Sequence, residues 1–213
     1  MDEVELGFRL ETYLAGHDFG DDASHDIHHA RRVKGLCREI AELEGAGDLL
    51  TLTAAAYLHD IVNLPKDHPE RHLASRYAAD AAAPILRAIG LDEARIAAAS
   101  HAIVTHSFSA GFRPETLEAR ILQDADRQEA LGAIGIARLF YVAGRMGSAL
   151  FDPDDPLAAR RALDDKRFAL DHFAQKLFKL PEMMQTEGGR QLALHRVDHM
   201  KDFVAQLMRE LSV

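Results

Sequence analysis

The amino-acid sequence predicts an all-α protein, a bundle of helices, from three observations. Apolar residues recur at spacings of three and four along most of the 213-residue chain, which is the period of an amphipathic helix. No segment shows sustained alternation of β-branched and aromatic residues with polar ones, so the pattern predicts no sheet. Hydrophobic residues make up 47% of the chain, which is enough for a sizeable core.

The first half of the chain predicts four successive helices, over residues 33–43, 49–62, 69–89 and 92–105. Asp48 and Asp92 stand where a helix N-cap is expected, and Gly90 stands where a C-terminal cap is expected. The glycines at 45–47 end the first of these helices, and Pro65 ends the second. Pro84 lies inside the third helix and predicts a kink or a break there.

The second half begins with a loop rich in Ser, Gly and Phe over residues 107–113. Pro114 predicts the start of a fifth helix that runs to about Asp126, and an apolar segment rich in small residues follows over 131–146. After a loop at 152–156, two long amphipathic helices are predicted over 157–180 and 187–211. These two helices alone would have a thin core, so we expect them to join the same bundle.

Charge and cysteine content limit the partners that we expect. The formal net charge is −9, which disfavours binding to polymeric nucleic acid. The single cysteine, Cys37, permits no intrachain disulfide, lies on an apolar helical stripe and is expected in the core. The first residues lack the pattern of a signal peptide, and no apolar run approaches the length of a membrane span. We therefore expect a cytoplasmic protein that does not bind membranes.

The strongest chemical signal is the adjacent pair His59-Asp60, which lies in an apolar, helix-like stretch. Burying an ionised carboxylate is unfavourable unless it is paired or bound to a metal. Imidazole nitrogen with carboxylate oxygen is a ligand set for a divalent ion of the manganese, iron or zinc type. The alternative is a histidine at a helix C-terminus that interacts with the helix dipole while Asp60 is exposed.

Two further segments carry residues that bind metals. His25 and His29 are four apart and share a helix face, and His29 also shares the inward stripe of Val33. The alternative is a surface cluster near a helix N-terminus. Asp124 and Asp126 are two apart and point away from each other on a helix, so one could bind metal while the other forms a salt bridge or faces solvent. Two ordinary surface acids remain the alternative.

Four more residues are candidates for binding phosphate oxygens. His101 and His106 are five residues apart, so on a regular helix they lie on different faces. They could bind phosphate or a second ion, and the alternative is a pair of hydrogen-bonded core histidines. Lys66 and Arg71 follow the His59-Asp60 pair, and an arginine can hold a phosphate with two parallel hydrogen bonds. The alternative for these cations is a solvated helix start.

Taken in order, these motifs resemble the HD-domain metal-dependent phosphohydrolases, a superfamily whose name describes its His-Asp doublet. The local sequence is similar to that of the bacterial nucleotide pyrophosphatase-like HD branch over about residues 20–185. The matching stretches are Ser24-His25-Asp26 with His29, Arg32 and Val33; Leu58 to Lys66; His106 to Ser109; Gln123 to Arg127; and Ala130 to Arg138. One departure is Gln128-Glu129, where the family pattern has a Leu-Asp-like pair.

The resemblance implies an HD-domain helical bundle and one domain over 1–213, with a metal-binding core at about 20–150 and C-terminal helices at about 156–211. It implies one divalent ion, manganese first, with magnesium, cobalt, iron, nickel or zinc as alternatives. The implied ligands are His29, His59, Asp60 and Asp126. For this branch it further implies that nucleoside triphosphates are cleaved to monophosphate and pyrophosphate.

The remaining roles are assigned as hypotheses on the same basis. The candidates for the catalytic acid–base work are Asp26, Asp67 and His25. The candidates for binding the phosphates are Lys66, Arg71, His101 and His106, and Arg127 could steady the metal-binding aspartate. The partner is expected to be a small phosphate-bearing molecule, a nucleotide. The segment 131–149 leaves a homodimer open, because its small residues could pack within one subunit or between two.

Other functions of the same site stay open at this point. A phosphodiesterase or a phosphomonoesterase would use the same metal ligands. A non-catalytic nucleotide-sensing module would keep the fold without the reaction. All four metal positions are filled in this chain, which argues against a degenerate site.

Overall fold

The structure, a computed structural model, describes residues 1–17, 26–64, 68–107 and 111–211. The described residues form α-helices and no strand, and one isolated bridge pairs Ala149 with Phe168, so the predicted all-α class is confirmed. The α-helices in these ranges are α1 Glu3–Leu14, α2 Ile27–Glu44, α3 Leu49–Leu58, α4 Ala74–Ile89, α5 Glu93–His106, α6 Leu117–Gln128, α7 Gly132–Met146, α8 Asp171–Gln175 and α9 Glu187–Leu211. Among these helices, none has both the length and the apolar character needed to cross a lipid bilayer.

The chain packs as two compact units. The first unit comprises Met1–Asp126 and the short segment Gln185–Gly188. The second comprises Arg127–Met184 and Gly189–Val213. The prediction of one domain over 1–213 stays a prediction.

The first unit is built around α3, which is apolar on all sides. Its residues from Thr51 to Leu58 are all buried, and it packs against α1, α2, α4 and α5. A helix that is hydrophobic all round is stable only when other helices surround it. The sequence Leu-Leu-Thr-Leu-Thr-Ala-Ala-Ala-Tyr-Leu therefore explains why α3 is central, and the pair His59-Asp60 follows directly at its C-terminal end.

The helix ends of the first unit confirm the predicted caps. The Asp48 carboxylate accepts hydrogen bonds from the backbone N–H groups of Leu50 and Thr51, both at 2.9 Å. Asp92 caps α5 in the same way. Gly90 ends α4 with a φ of 95°, a left-handed conformation that glycine adopts without the strain a side chain would cause. These caps are local features, which is why spacing alone predicted them.

Several boundaries differ from the prediction. The predicted helix over 49–62 ends at Leu58, because the chain turns there and the N–H of Ile61 donates to the Leu58 carbonyl at 3.2 Å. The helix expected from Pro114 begins only at Leu117. Pro84 does not split α4, which is one continuous helix. Helix α1 was not predicted at all; its side chains Leu6, Leu10 and Leu14 are buried at a helical spacing.

The second unit has a core rich in aromatic residues. The Phe173 ring lies 5.8 to 6.4 Å, between centroids, from the rings of Phe140, Phe178 and Phe203. Helix α9 contributes Ala193, Val197 and Met200 to this core. The predicted helices over 131–146 and 187–211 are confirmed as α7 and α9, each within one residue.

The predicted helix over 157–180 is wrong. This segment contains only the short helix α8 and a 3₁₀ segment over Leu177–Met183, and residues before α8 are irregular. The Asp171 carboxylate accepts hydrogen bonds from the Arg161 guanidinium at 2.5 and 2.8 Å and from the Asp164 N–H at 2.7 Å. These bonds, and the backbone bonds of Ala149 with Arg167 and Ala169, hold the segment in a non-helical path despite its helical periodicity.

Candidate metal centre

His29 is positioned by the first turn of α2. The Asp26 carboxylate caps this helix and accepts a hydrogen bond from the His29 backbone N–H at 2.8 Å. The side chain of His29 points inward with Val33 and is about 1% exposed. The structure therefore supports the inward orientation that its place on the apolar stripe indicated, and it gives Asp26 a clear role as a helix cap.

His59 and Asp60 lie in the turn that follows α3. His59 is 1% exposed, and its Nδ1 lies 2.9 Å from the carbonyl oxygen of Ala56, which can only accept a hydrogen bond. Nδ1 must therefore carry the proton, so in the neutral ring the lone pair is on Nε2. The Nε2 atom of His59 lies 3.2 Å from Oδ2 of Asp60, so the turn lets both side chains reach one point.

Asp126, from the C-terminal part of α6, completes the cluster. Its Oδ1 lies 3.5 Å from Nε2 of His29 and 3.9 Å from Nε2 of His59. The two histidine Nε2 atoms are 3.1 Å apart, and Nε2 of His29 is 3.8 Å from Oδ2 of Asp60. The structure thus brings together all four residues that the sequence singled out as metal ligands.

The donor set of this cluster fits a divalent ion. Ligand atoms bound at about 2.1 Å lie about 3.0–3.4 Å from one another, close to the distances observed here. Two imidazole nitrogens and two carboxylates at this separation need a cation between them, either a proton shared by the nitrogens or a divalent ion. The side chains of Asp60 and Asp126 are 19% and 30% exposed, which leaves one side of the cluster open to a small molecule.

The electrostatics of His59 point to the same conclusion. Burial by itself lowers the pKa of His59, but the negative charges of Asp60 and Asp126 and the hydrogen bond to Ala56 raise it to about 9. The potential that stabilises a proton on this imidazole is the potential that attracts a cation to the cluster. The histidine and the two carboxylates therefore form a cation site by charge as well as by geometry.

His106 is a further buried histidine beside the cluster. Its Nδ1 donates to the carbonyl of Ile103 at 2.6 Å, and its Nε2 lies 3.5 Å from Oδ1 of Asp60. Its ring meets that of His59 edge-on, with centroids 4.9 Å apart. The atoms of His59, Asp60 and His106 are close enough to form a second group of three ligands. His101 and His106 are five residues apart, and in the structure only His106 lies beside the cluster.

Asp124 has a different role from Asp126, although the two lie on the same helix. Its buried carboxylate accepts hydrogen bonds from the N–H groups of Gln185 and Thr186 and from the Thr186 hydroxyl, at 2.7 to 3.0 Å. Of the two roles expected for the second aspartate, exposure to solvent is wrong, because Asp124 is buried; its carboxylate holds Gln185 and Thr186. These hydrogen-bond donors lie about 60 residues away in the sequence, so no local sequence pattern could predict the contact.

The other candidate residues are placed as follows. The guanidinium of Arg71 donates to the Asn63 side chain at 3.1 Å and to the Leu64 carbonyl, so it supports the loop after the His-Asp turn. Nε2 of His101 accepts a hydrogen bond from the Glu115 N–H at 3.2 Å. Arg127 donates to the Met183 carbonyl. His25, Lys66 and Asp67 lie outside the described residues.

Cys37 is buried on α2, as its place in the stripe predicted. Burial raises the pKa of its thiol, and the carboxylates of Asp126 and Asp124 raise it further. A thiol held in its neutral form is a poor ligand and a poor nucleophile. Cys37 is therefore a core residue and takes no part in the cluster.

The chain belongs to the HD domain family, whose sequence model matches residues 17–131. This range includes all four residues of the cluster. The predicted family is therefore confirmed, and a His/Asp cluster that fits a divalent metal accords with it.

Solved relatives agree with this assignment. The chain is 31% identical to the YpgQ protein of Bacillus subtilis, over 99% of this chain and 96% of that protein. A crystal structure of YpgQ in complex with ADP superposes with a TM-score of 0.74 at 30% identity, covering 99% of this chain and 97% of the other. An HD-superfamily hydrolase from Bacillus thuringiensis matches with a TM-score of 0.74 at 29% identity, over the full length of both chains. The family of this chain is that of HD-superfamily hydrolases.

Proposed function

We propose that the protein is a metal-dependent phosphohydrolase that cleaves nucleoside triphosphates to monophosphate and pyrophosphate. The observation that carries the proposal is the position of Nε2 of His59, which lies 3.1 Å from Nε2 of His29 and within 3.9 Å of a carboxylate oxygen of both Asp60 and Asp126. When bound, a divalent ion at this site would lower the pKa of water and offset negative charge on phosphoryl oxygens. The nucleotide part of the proposal is supported by the ADP complex of the relative YpgQ.

The charges of the site suit a phosphate substrate only with the ion. Two neutral histidines and two carboxylates contribute a charge of −2, so a divalent ion leaves the centre close to neutral. The whole chain carries a net charge of −9 and would repel a nucleotide without such local compensation. This requirement makes the activity strictly dependent on metal.

The residues around the cluster are assigned roles by their placement. His106 is the candidate best placed to contact the reacting phosphate, because its Nε2 lies 3.5 Å from the Asp60 carboxylate. Arg71 and His101 are held by backbone contacts and would act on the substrate only through the loops that they support. Asp26 remains a candidate base beside His29, together with His25 and Asp67, and Lys66 remains a candidate for binding phosphate.

The test is the release of pyrophosphate and orthophosphate from a panel of nucleoside triphosphates, with manganese, magnesium, cobalt or EDTA. Asp60→Ala is compared with Asp80→Ala, a control that removes an exposed carboxylate of α4. We expect metal-dependent release of pyrophosphate by the parent and the control, and a loss of at least about a hundredfold in Asp60→Ala.

The products decide between the alternatives. Release of orthophosphate without pyrophosphate would indicate a phosphatase. Hydrolysis of phosphodiesters but not of triphosphates would indicate a phosphodiesterase. Binding of nucleotide and metal with no product from any substrate would contradict catalysis and leave a sensing role. Unchanged metal content in Asp60→Ala would contradict the site itself.

A further inference from the structure

The first unit contains a cavity that shares no residue with the metal cluster. It has a volume of about 320 Å³ and is lined by Arg113, Pro114, Glu115, Arg120 and Gln185. Two of the five lining side chains are guanidinium groups. Because the chain is strongly acidic overall, two arginines at one cavity are a local exception to its charge.

The two cavity arginines differ from other arginines of the same unit. Neither Arg113 nor Arg120 forms an ion pair with a carboxylate anywhere in the described ranges; the Nε of Arg120 donates only to the Thr116 carbonyl of its own helix, at 3.3 Å. Five other arginines of this unit pair with carboxylates at 2.5 to 2.9 Å, namely Arg9 with Glu5, Arg31 with Glu11, Arg38 with Glu3, Arg87 with Glu93 and Arg95 with Asp48. Most hydrogen-bond donors of the two cavity guanidinium groups therefore remain available to a ligand.

The nearby carboxylate does not neutralise them. Glu115 lines the same cavity, but it forms no ion pair with either arginine within the described part of the chain. Two arginines and one glutamate leave the wall with a net positive charge of one. An anion that bridges both guanidinium groups would meet a complementary charge there.

The cavity is also separate from the metal cluster along α6. Arg120 and Asp124 are four residues apart and share one face of the helix, whereas Asp126 is six residues beyond Arg120 and lies on another face. The backbone N–H of Gln185, another lining residue, donates to Asp124. An occupant of the cavity would thus contact the side of α6 that Asp124 faces.

We propose that this cavity is a second binding site, for a pyrophosphate or diphosphate group. Arginine presents a planar fork of donors that matches phosphate oxygens, and two such forks suit two linked phosphates. The volume is at the lower end for ligand pockets, which favours a small anion or the diphosphate end of a larger molecule. This proposal goes beyond the proposed function, because it requires neither metal nor catalysis.

The test is calorimetric titration of the full-length protein with inorganic pyrophosphate, in EDTA and in the Asp60→Ala background. Removal of metal prevents binding through an ion at the cluster, so any remaining site is independent of it. We expect one pyrophosphate per chain. Arg113→Gln with Arg120→Gln should weaken binding at least about tenfold, the loss expected when one charge-assisted hydrogen bond is removed.

A charge-matched control distinguishes binding of pyrophosphate at this cavity from nonspecific attraction of the anion to positive charge. Arg145→Gln with Arg209→Gln removes the same two charges from exposed positions of the second unit, and binding should stay within about twofold. Arg113→Gln alone, at an exposed side chain that makes no hydrogen bond to a residue the structure describes, serves if the double variant fails to fold. Competition by ADP and by adenosine shows whether the site takes free pyrophosphate or the diphosphate of a nucleotide. If the diphosphate of a nucleotide is recognised, ADP should compete with pyrophosphate and adenosine should not.

Three results would overturn the proposal. The first is the absence of pyrophosphate binding to the metal-free protein. The second is unchanged binding in a folded Arg113→Gln, Arg120→Gln variant. The third is an equal loss in the charge-matched control.

Discussion

Asp171 in the second unit and the pair Asp60 and Asp126 in the first unit have their charges compensated in different ways. In the second unit, fully buried Asp171 has its own cation, since Arg161 holds it with two hydrogen bonds at 2.5 and 2.8 Å. Burial raises the pKa of the Asp171 carboxyl, but the hydrogen bonds from Arg161 and from the Asp164 N–H lower it by more. The net pKa is below the usual value for an aspartate, so the carboxylate stays ionised. The negative charge of Asp171 is therefore balanced by a residue of the same unit.

In the first unit, Asp60 and Asp126 face histidine nitrogens. The neighbours of these carboxylates are Nε2 atoms of His29, His59 and His106. Those of His59 and His106 carry lone pairs when the rings are neutral, because their Nδ1 atoms donate to backbone carbonyls. With neutral rings the cluster therefore has more acceptors than donors, and it takes up a cation, either a proton on His59 or a metal ion. The comparison teaches that a buried carboxylate with its own arginine stabilises the fold, whereas a carboxylate among neutral histidines indicates a binding site.

The largest expected effect is the loss of the internal cation in the second unit. Arg161→Ala should lower the free energy of unfolding by about 3–5 kcal/mol, because it leaves the Asp171 charge buried without a partner. Urea unfolding followed by circular dichroism measures this loss. Arg160→Ala, which removes an exposed neighbouring arginine, is the control and should cost less than about 1 kcal/mol. Similar losses in both variants would show that Asp171 does not depend on Arg161.

A different behaviour is expected at the metal cluster. Asp60→Asn should weaken divalent-metal binding by at least about a hundredfold. In EDTA it should lower the free energy of unfolding by less than Arg161→Ala does, because the side chain of Asp60 is 19% exposed and the partner that it loses, protonated His59, can release its proton. Competition with a chelating dye measures the affinity, and Asp80→Asn is the control. A loss of metal-free stability comparable to that of Arg161→Ala would contradict the distinction between the two kinds of site.

The smallest expected effect concerns a half-exposed carboxylate of the first unit. The bond from Arg31, together with that from the Tyr57 hydroxyl, lowers the pKa of Glu11 from 4.5 to about 2, against the opposing effect of burial. A lowered folded-state pKa stabilises the protein above pH 4.5, and this contribution is lost as the pH falls towards 2. With the side chain 32% exposed and screened by solvent, we expect about 1–2 kcal/mol.

Unfolding at pH 6 and pH 3 checks this sign. Glu11→Gln should be less stable than the parent at pH 6, and the difference should shrink at pH 3. Glu5→Gln, which removes an exposed helix pair with Arg9, should show a difference of only a few tenths of a kcal/mol at pH 6. A difference for Glu11→Gln that grows on acidification would contradict the lowered pKa.

The predictions that hold rest on short-range physics. The 3.6-residue period predicted α2, α5, α7 and α9, and the caps at Asp48, Asp92 and Gly90 depend on neighbouring backbone groups only. The ligand set was also recognisable, because a His-Asp pair in an apolar stretch is costly without a cation. The failure over 157–180 has the complementary cause: bonds from Arg161 to Asp171 and from Ala149 to the 167–169 backbone override a helical periodicity.

By itself, then, the sequence determined the all-α class, several helix ends and the residue types of the cluster, since each follows from spacing and local hydrogen bonding. Tertiary packing alone decided which atoms meet. It placed Nε2 of His106 3.5 Å from Asp60, gave Asp124 the backbone N–H groups of a segment 61 residues away, and left Arg113 and Arg120 around a cavity without ion-pair partners in the described chain. The physical reason is that distances between helices depend on how the apolar faces pack, and no local spacing contains that information.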